Sequence, residues 1–201
     1  MTIILSAARG AALALALGLA LAGAASAETR TAIFASGCFW CTQADFLKVP
    51  GVTAVVSGYT GGMVVKPTYQ QVTTGKTGHR EAAQVTYDPS QVSYQQLLDH
   101  YWHNVDPFDS VGQFCDKGSS YLSAIFYGNE EEKALAEASK KKVEEKFKRP
   151  VVTAILPGVP FYAAEDYHQN YHVTHATQYK FYRWNCGRDQ RLEELWGKKS
   201  S

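Results

Sequence analysis

This chain lacks an excess of charge of either sign. Its 20 lysines and arginines face 19 aspartates and glutamates, for a net charge of +1. Such a balance gives no electrostatic pull toward nucleic acid or an anionic membrane surface. Partners are therefore expected to be recognised by shape and specific chemistry, with no nucleic acid among them. No internal repeat and no low-complexity tract follows the first 27 residues. A run long enough to span a membrane comfortably is also missing. Cysteine is scarce, with Cys38, Cys41, Cys115 and Cys186 the whole supply.

The N-terminal stretch reads as a targeting segment rather than as fold. Met1 to Ala27 carries one positive charge, Arg9, then the apolar run AALALALGLALAGA, and ends in the small-x-small pattern Ala25-Ser26-Ala27. The run is short and rich in alanine, and no stop-transfer pattern follows, which fits a cleavable signal peptide. The expectation is export, most simply to a periplasm, with a mature chain from about Glu28 that has no stable membrane association. Residues 28–201 suffice for a single domain with a sizeable core, and a monomer is the default.

Along that domain, Thr31–Ser36 predicts a short buried strand, and Gly37 breaks it before a helix over Cys38–Val49. Val52–Tyr59 and Thr77–Tyr87 predict strands. Leu97, Leu98, Tyr101, Trp102 and Val105 repeat at helical spacing after Ser93. Asp106–Gly118 reads as a loop and Ser119–Tyr127 as a strand. Asn129 caps a long charged helix through Lys148. Val151–Leu156 predicts a strand, Ala163–Val173 a helix, and the tail after Tyr182 something less regular. Strands and helices alternate with connections too short for repeated parallel crossovers, so the expected class is α+β, a mixed β-sheet with packed helices in a two-layer sandwich.

The strongest chemical signal is Gly37-Cys38-Phe39-Trp40-Cys41. A cysteine at the first turn of a helix sits where unsatisfied N–H groups and the positive helix end favour a thiolate, the nucleophilic form. The Cys-x-x-Cys spacing alone also allows a dithiol redox pair or half a metal site. Zinc would want a second ligand pair, which neither Cys115 nor Cys186 has. The bulky Phe39-Trp40 insertion suits the wall of a small apolar pocket better than a surface for partner disulfides. An even cysteine count in an exported chain also permits two structural disulfides, Cys38–Cys41 and Cys115–Cys186, although a domain of this size does not need such staples and the setting of Cys38 argues for reactivity.

With these residues in view the chain resembles peptide methionine sulfoxide reductase A. The matching segments are GCFWC, GYTGG at Gly58–Gly62, PTYQQV at Pro67–Val72, TGHREA at Thr77–Ala82, DKGSSY at Asp116–Tyr121 and EDYHQNY at Glu165–Tyr171. They run in order from about Thr31 to Gly197. The resemblance implies the family's ferredoxin-like fold, Cys38 as the nucleophile that attacks the sulfoxide sulfur, and Glu81 as the acid that protonates the leaving oxygen. On the predicted strand Glu81 shares a face with Ala83, Val85 and Tyr87, so desolvation should raise its pKa. Tyr69 and Tyr121 match the tyrosines that bind the sulfoxide oxygen, Asp116 an aspartate that orders the site, and Phe39 and Trp40 the residues that enclose the substrate methyl group.

The implied cycle takes the S epimer, in proteins or free. Cys38 becomes a sulfenic acid, a second cysteine condenses with it, and a thioredoxin-like dithiol reduces the disulfide, with no cofactor and no metal. The resolving cysteine is open among Cys41, Cys186 and Cys115, in that order of preference. His168, His172 and His175 tempt a metal reading through i, i+4 spacing, but they fall in the family's YHQ segment, which is not a metal site. Leu122 departs from the family, which usually carries arginine there. A general dithiol–disulfide oxidoreductase using Cys38 and Cys41 is the rival activity, and it has no need of Glu81.

Overall fold

Phe34 shows how the first strand is held. Its ring stacks on Phe46, Tyr101 and Tyr94 at centroid distances of 4.9, 5.3 and 6.2 Å, pinning strand to helices. The computed structural model describes residues 28–198; the leader and its expected cleavage site lie outside them. Strand β1 (Arg30–Ala35) leads into helix α1 (Phe39–Phe46), then β2 (Val52–Thr60), α2 (Tyr69–Thr73), β3 (Arg80–Tyr87) and α3 (Tyr94–Trp102). A two-residue hairpin, β4 (Gly112–Gln113) and β5 (Asp116–Lys117), precedes β6 (Ala124–Tyr127). Helix α4 (Glu130–Phe147), β7 (Ala154–Pro157) and β8 (Tyr162–Ala163) follow, then α5 (Tyr171–Thr174), α6 (Ala176–Asn185) and α7 (Arg188–Trp196).

The main sheet runs β7-β6-β1-β3-β2-β8, with β6–β7 parallel and the other pairings antiparallel. Its inner order β6-β1-β3-β2, threaded β1-α1-β2-β3-α3-β6, is the split β-α-β-β-α-β arrangement of ferredoxin-like domains. The class is α+β with a mixed sheet, as the sequence led us to expect.

Strand alternation sorts β1 between two clusters. Ala32 and Phe34 join the main core with Phe46, Leu97, Leu98, Tyr101 and Trp102, while Ala35 packs with Ala82, Ala124 and Phe126. Burying side chains of this size contributes about 1.5–3 kcal/mol each before the entropy of ordering them. Helix α3 begins at a capping box of Ser93 and Gln96, and the Tyr101 hydroxyl donates to the Ala35 carbonyl at 3.0 Å. The long helix starts where Asn129 Oδ1 accepts the Glu132 N–H at 2.9 Å, as its sequence suggested.

The expected helix over Ala163–Val173 does not form. That stretch holds β8, a 3-10 turn at Asp166–His168 and the single turn α5. Its polar side chains are spent on the sheet edge: Gln169 Oε1 accepts the Ser57 N–H at 3.0 Å and its Nε2 donates to the Ser57 carbonyl at 2.9 Å. Such long-range bonds override local period. The tail after Tyr182 is more regular than expected, completing α6 and forming α7, because Arg188 and Leu192 are buried against the domain. The Asp106–Gly118 loop contains the β4–β5 hairpin, and the expected Ser119–Tyr127 strand divides into a 3-10 turn at Ser119–Tyr121 and β6. The segment carrying Tyr69, in which no element had been foreseen, forms α2 behind a Thr68–Gln71 capping box.

Candidate active site

Cys38 lies where β1 hands over to α1, as the N-cap of the helix, its carbonyl accepting the N–H groups of Cys41 at 3.1 Å and Thr42 at 3.2 Å. Gly37 makes this entry possible. Its φ of +82° disfavours any side chain, and a Cβ there would stand 2.5 Å from Gln113 Cβ. The helix end does not by itself make Cys38 a thiolate, contrary to the sequence reading. The residue is only 6% exposed, and burial first, then Cys41 and the Glu81 carboxyl, push the thiol well above its ordinary value. Cys41 is shifted the opposite way, to about 7, by its hydrogen bond with Cys38, against the effect of its burial and helped by Arg188 and Arg183.

Glu81 sits on β3 opposite Tyr59 of β2, with Ala83, Val85 and Tyr87 on the same buried face. Its Oε2 accepts the backbone N–H of Phe39, in the first turn of α1, at 2.9 Å. Burial raises its pKa to about 8, the Phe39 hydrogen bond opposes that rise, and Asp116 and Cys41 add to it. The carboxyl therefore holds a proton near neutral pH, the condition for a general acid.

Cys38, Phe39, Trp40, Tyr69, Glu81, Asp116 and Tyr121 converge on one small cavity of about 60 Å³. The cavity thus collects the nucleophile, the acid, both tyrosines, the aspartate and the two aromatic wall residues singled out in the sequence. Tyr69 stacks on Phe39 at 6.4 Å, and burial lifts its phenol to about 12, a neutral donor throughout the physiological range. Trp40 stacks face to face on Tyr171 at 3.8 Å and donates its indole N–H to His168 Nδ1 at 3.1 Å. A wider cleft of about 800 Å³, lined by His103, Leu192 and Trp196 among others, holds no cysteine.

Several residues of the site went unrecognised in the sequence. Tyr182 on α6 completes the cavity wall, donates to Asp116 Oδ2 and pairs with the Cys38 thiol. Glu165 holds the frame, accepting from the Tyr59 hydroxyl at 2.8 Å and the Tyr69 N–H at 2.9 Å. The histidines that suggested a metal have other occupations: His168 serves Trp40, and His175 stacks on Tyr171 at 4.4 Å. His168 and His172 do not share one helix. Leu122, at the departure from the family pattern, lies just after the 3-10 turn that carries Tyr121.

Of the three resolving candidates, Cys115 and Cys186 are joined to each other in a disulfide. Cys38 and Cys41 are free buried thiols. Cys115, Asp116 and Cys186 also place potential ligand atoms within 4.8 Å of one another, but the two sulfurs are already bonded together.

A family model described as peptide methionine sulfoxide reductase matches residues 30–200. The peptide methionine sulfoxide reductase MsrA of Bacillus licheniformis is 51% identical over 170 residues, covering 84% of this chain and 94% of the relative. The chain belongs to the peptide methionine sulfoxide reductase A family. Among solved structures it is similar to Mxr1 from Saccharomyces cerevisiae in reduced form, at 29% identity and a TM-score of 0.71, covering 76% of this chain and 88% of that one. Methionine sulfoxide reductase A of Corynebacterium diphtheriae gives 30% identity and a TM-score of 0.67 over 76% of this chain and 77% of that one. Reductase A membership makes the chain an oxidoreductase and accounts for the company of Cys38, Glu81 and the aromatic cavity.

Proposed function

We propose that this chain reduces methionine S-sulfoxide to methionine with Cys38 as nucleophile and Glu81 as proton donor. One observation carries the reading: a buried carboxyl poised to hold a proton near neutrality shares a small aromatic cavity with a thiol. A general disulfide exchanger has no use for such an acid.

The sulfoxide oxygen accepts hydrogen bonds from the Tyr69 and Tyr121 hydroxyls and then the proton of Glu81. Sulfur becomes electrophilic as the oxygen is protonated, and Cys38 attacks as its own proton passes to the vacated carboxylate. Attack forms a transient S–S bond. The hydroxyl then passes from the methionine sulfur to the Cys38 sulfur as the S–O and S–S bonds break. The S–S electron pair stays on the methionine sulfur, and methionine leaves Cys38 as a sulfenic acid. Phe39 and Trp40 enclose the methyl group, and only one arrangement of methyl, oxygen and main chain satisfies walls and donors together, which sets the epimer. Cys41, already hydrogen-bonded to Cys38, then displaces water to give a disulfide, some unwinding of the first turn of α1 bringing the sulfurs together. An external dithiol of thioredoxin type takes that disulfide back to two thiols. Mxr1, a yeast structural neighbour, has a structure in complex with Trx2.

The cavity reads a side chain, so protein-bound and free substrates both fit. Export to a periplasm, with cleavage after Ala27, belongs to the same proposal; N-terminal sequencing of the exported protein should begin at Glu28. The catalytic reading is tested by reducing separate S and R epimers with dithiothreitol. Activity confined to the S epimer, abolished in Cys38→Ser and reduced by about 100-fold in Glu81→Gln, supports it. Inactivity of the folded wild type on both epimers overturns it in favour of disulfide exchange.

A further inference from the structure

The Cys115–Cys186 disulfide has no part in that cycle, yet it lies against the cavity. Cys115 directly precedes Asp116, and Cys186 is the C-cap of α6, one helical turn beyond Tyr182. Asp116 Oδ2 is 4.0 Å from Cys186 Sγ, and the Cys115 N–H points to the same sulfur at 3.2 Å. The bridge therefore joins two segments 71 residues apart, each contributing one member of the Tyr182–Asp116 hydrogen bond.

The hairpin is the weakly held partner, since Arg183, next to Tyr182, already ties α6 to Asp45 of α1 at 2.9 Å. The β4–β5 hairpin consists of two residues on each strand, and Phe114 at its tip has φ of +55°, a conformation costly for an aromatic side chain. Tyr182 packs against the Cys38 cluster and Trp40, and Asp116 of the hairpin accepts its hydroxyl proton and so sets which way that hydroxyl points.

We propose that the Cys115–Cys186 bridge is a positioning clasp, holding Asp116 and Tyr182 so that the Tyr182 hydroxyl faces the Cys38 sulfur during sulfoxide cleavage. This rests on the reductase reading. A dithiol such as dithiothreitol reduces the clasp by attack of one thiolate on a bridge sulfur and ring closure by its second thiol. Two electrons pass to the bridge, two protein thiols are freed and the reagent becomes a cyclic disulfide. Cys115 is exposed, so the bond is open to that attack. The reductant then acts in two senses, regenerating Cys38 while loosening its surroundings. The turnover rate should pass through a maximum as dithiothreitol is raised.

The test is single-turnover methionine formation from the S epimer, with enzyme in excess and no reductant during the reaction. Six forms are compared: wild type with the bridge intact, wild type with the bridge selectively reduced and Cys115→Ser/Cys186→Ser, each with and without Tyr182→Phe. Loss of the bridge should slow the step about tenfold or more, and reoxidation of wild type should restore it. Tyr182→Phe should slow the bridged enzyme by a similar factor and add little once the bridge is gone, a non-additivity that general destabilisation does not produce. If the double serine variant fails to fold, the reversibly reduced wild type supplies the same comparison. An unchanged rate without the bridge overturns the clasp, as does an equal Tyr182→Phe effect in both backgrounds. A normal first step followed by failure to form the Cys38–Cys41 disulfide also overturns it, placing the bridge cysteines in electron transfer. Absence of methionine from the bridged wild type would instead strike the reductase reading itself.

Discussion

The Glu81 carboxylate oxygen sits 2.9 Å from the backbone nitrogen of Phe39, the residue that follows Cys38. One hydrogen bond thus ties the proposed proton donor on β3 to the first turn of the helix that presents the proposed nucleophile. The two residues are joined through a strand and a helix rather than through a loop.

That arrangement sets a pH dependence. Glu81 has a raised pKa of about 8, so the folded state prefers the protonated carboxyl. The first chemical step should fall as pH rises through about 8, and stopped single-turnover assays across that range read it directly.

The same shift acts on stability. A raised carboxyl pKa favours folding below the unfolded value of about 4.3 and costs stability progressively as pH climbs from there toward the folded value. Glu81→Gln removes the cost, so its melting temperature relative to wild type should increase between pH 5 and pH 8 while activity is lost. A constant difference across that range contradicts the assignment.

Gly37→Ala should be severe. The new Cβ meets Gln113 Cβ at 2.5 Å with φ at +82°. A loss of about 3 kcal/mol in urea denaturation is expected.

Trp40 depends on His168 for its only polar tie in the cavity wall, a 3.1 Å hydrogen bond. His168→Leu should raise KM for the sulfoxide about fivefold, the equivalent of about 1 kcal/mol, with little change in kcat. Steady-state kinetics separate the two constants.

Asp45 is buried between Arg183, at 2.9 Å, and Arg188, at 3.9 Å. Burial alone would raise its pKa, but the two guanidinium groups and Lys48 hold it at about 2. A depressed carboxyl contributes stability above its unfolded pKa and loses it as pH falls. Asp45→Asn should therefore cost about 3 kcal/mol at pH 7, and the gap from wild type should narrow between about pH 4 and pH 2. Thermal melts across that range measure it.

The sequence disclosed what local pattern encodes. Strand alternation placed Glu81 on a buried face, the Gly37-Cys38 junction marked a helix start, and Ser93 and Asn129 announced their helices. What it concealed depends on contacts between distant residues. The Glu165–Asn170 stretch looks helical until Gln169 is seen closing the edge at Ser57 and His168 holding Trp40. Tyr182 carried no sign of its place, being one of 12 tyrosines, and only the fold of α6 brings it to Cys38. The ionisation of Cys38 was misjudged because a helix end is visible in sequence and the depth of burial is not. The even cysteine count raised the Cys115–Cys186 bridge only together with a Cys38–Cys41 one; the first forms across 71 residues and the second does not, a choice no local pattern makes.

The most direct test of the central claim is a thiol count across one turnover, with the S-sulfoxide and no reductant. The resting chain has two free thiols, Cys38 and Cys41. Both should disappear, with one methionine formed per chain and a Cys38–Cys41 linked peptide in the digest. Thiols that survive the sulfoxide, or that vanish equally when methionine is supplied instead, would contradict sulfoxide reduction by this pair.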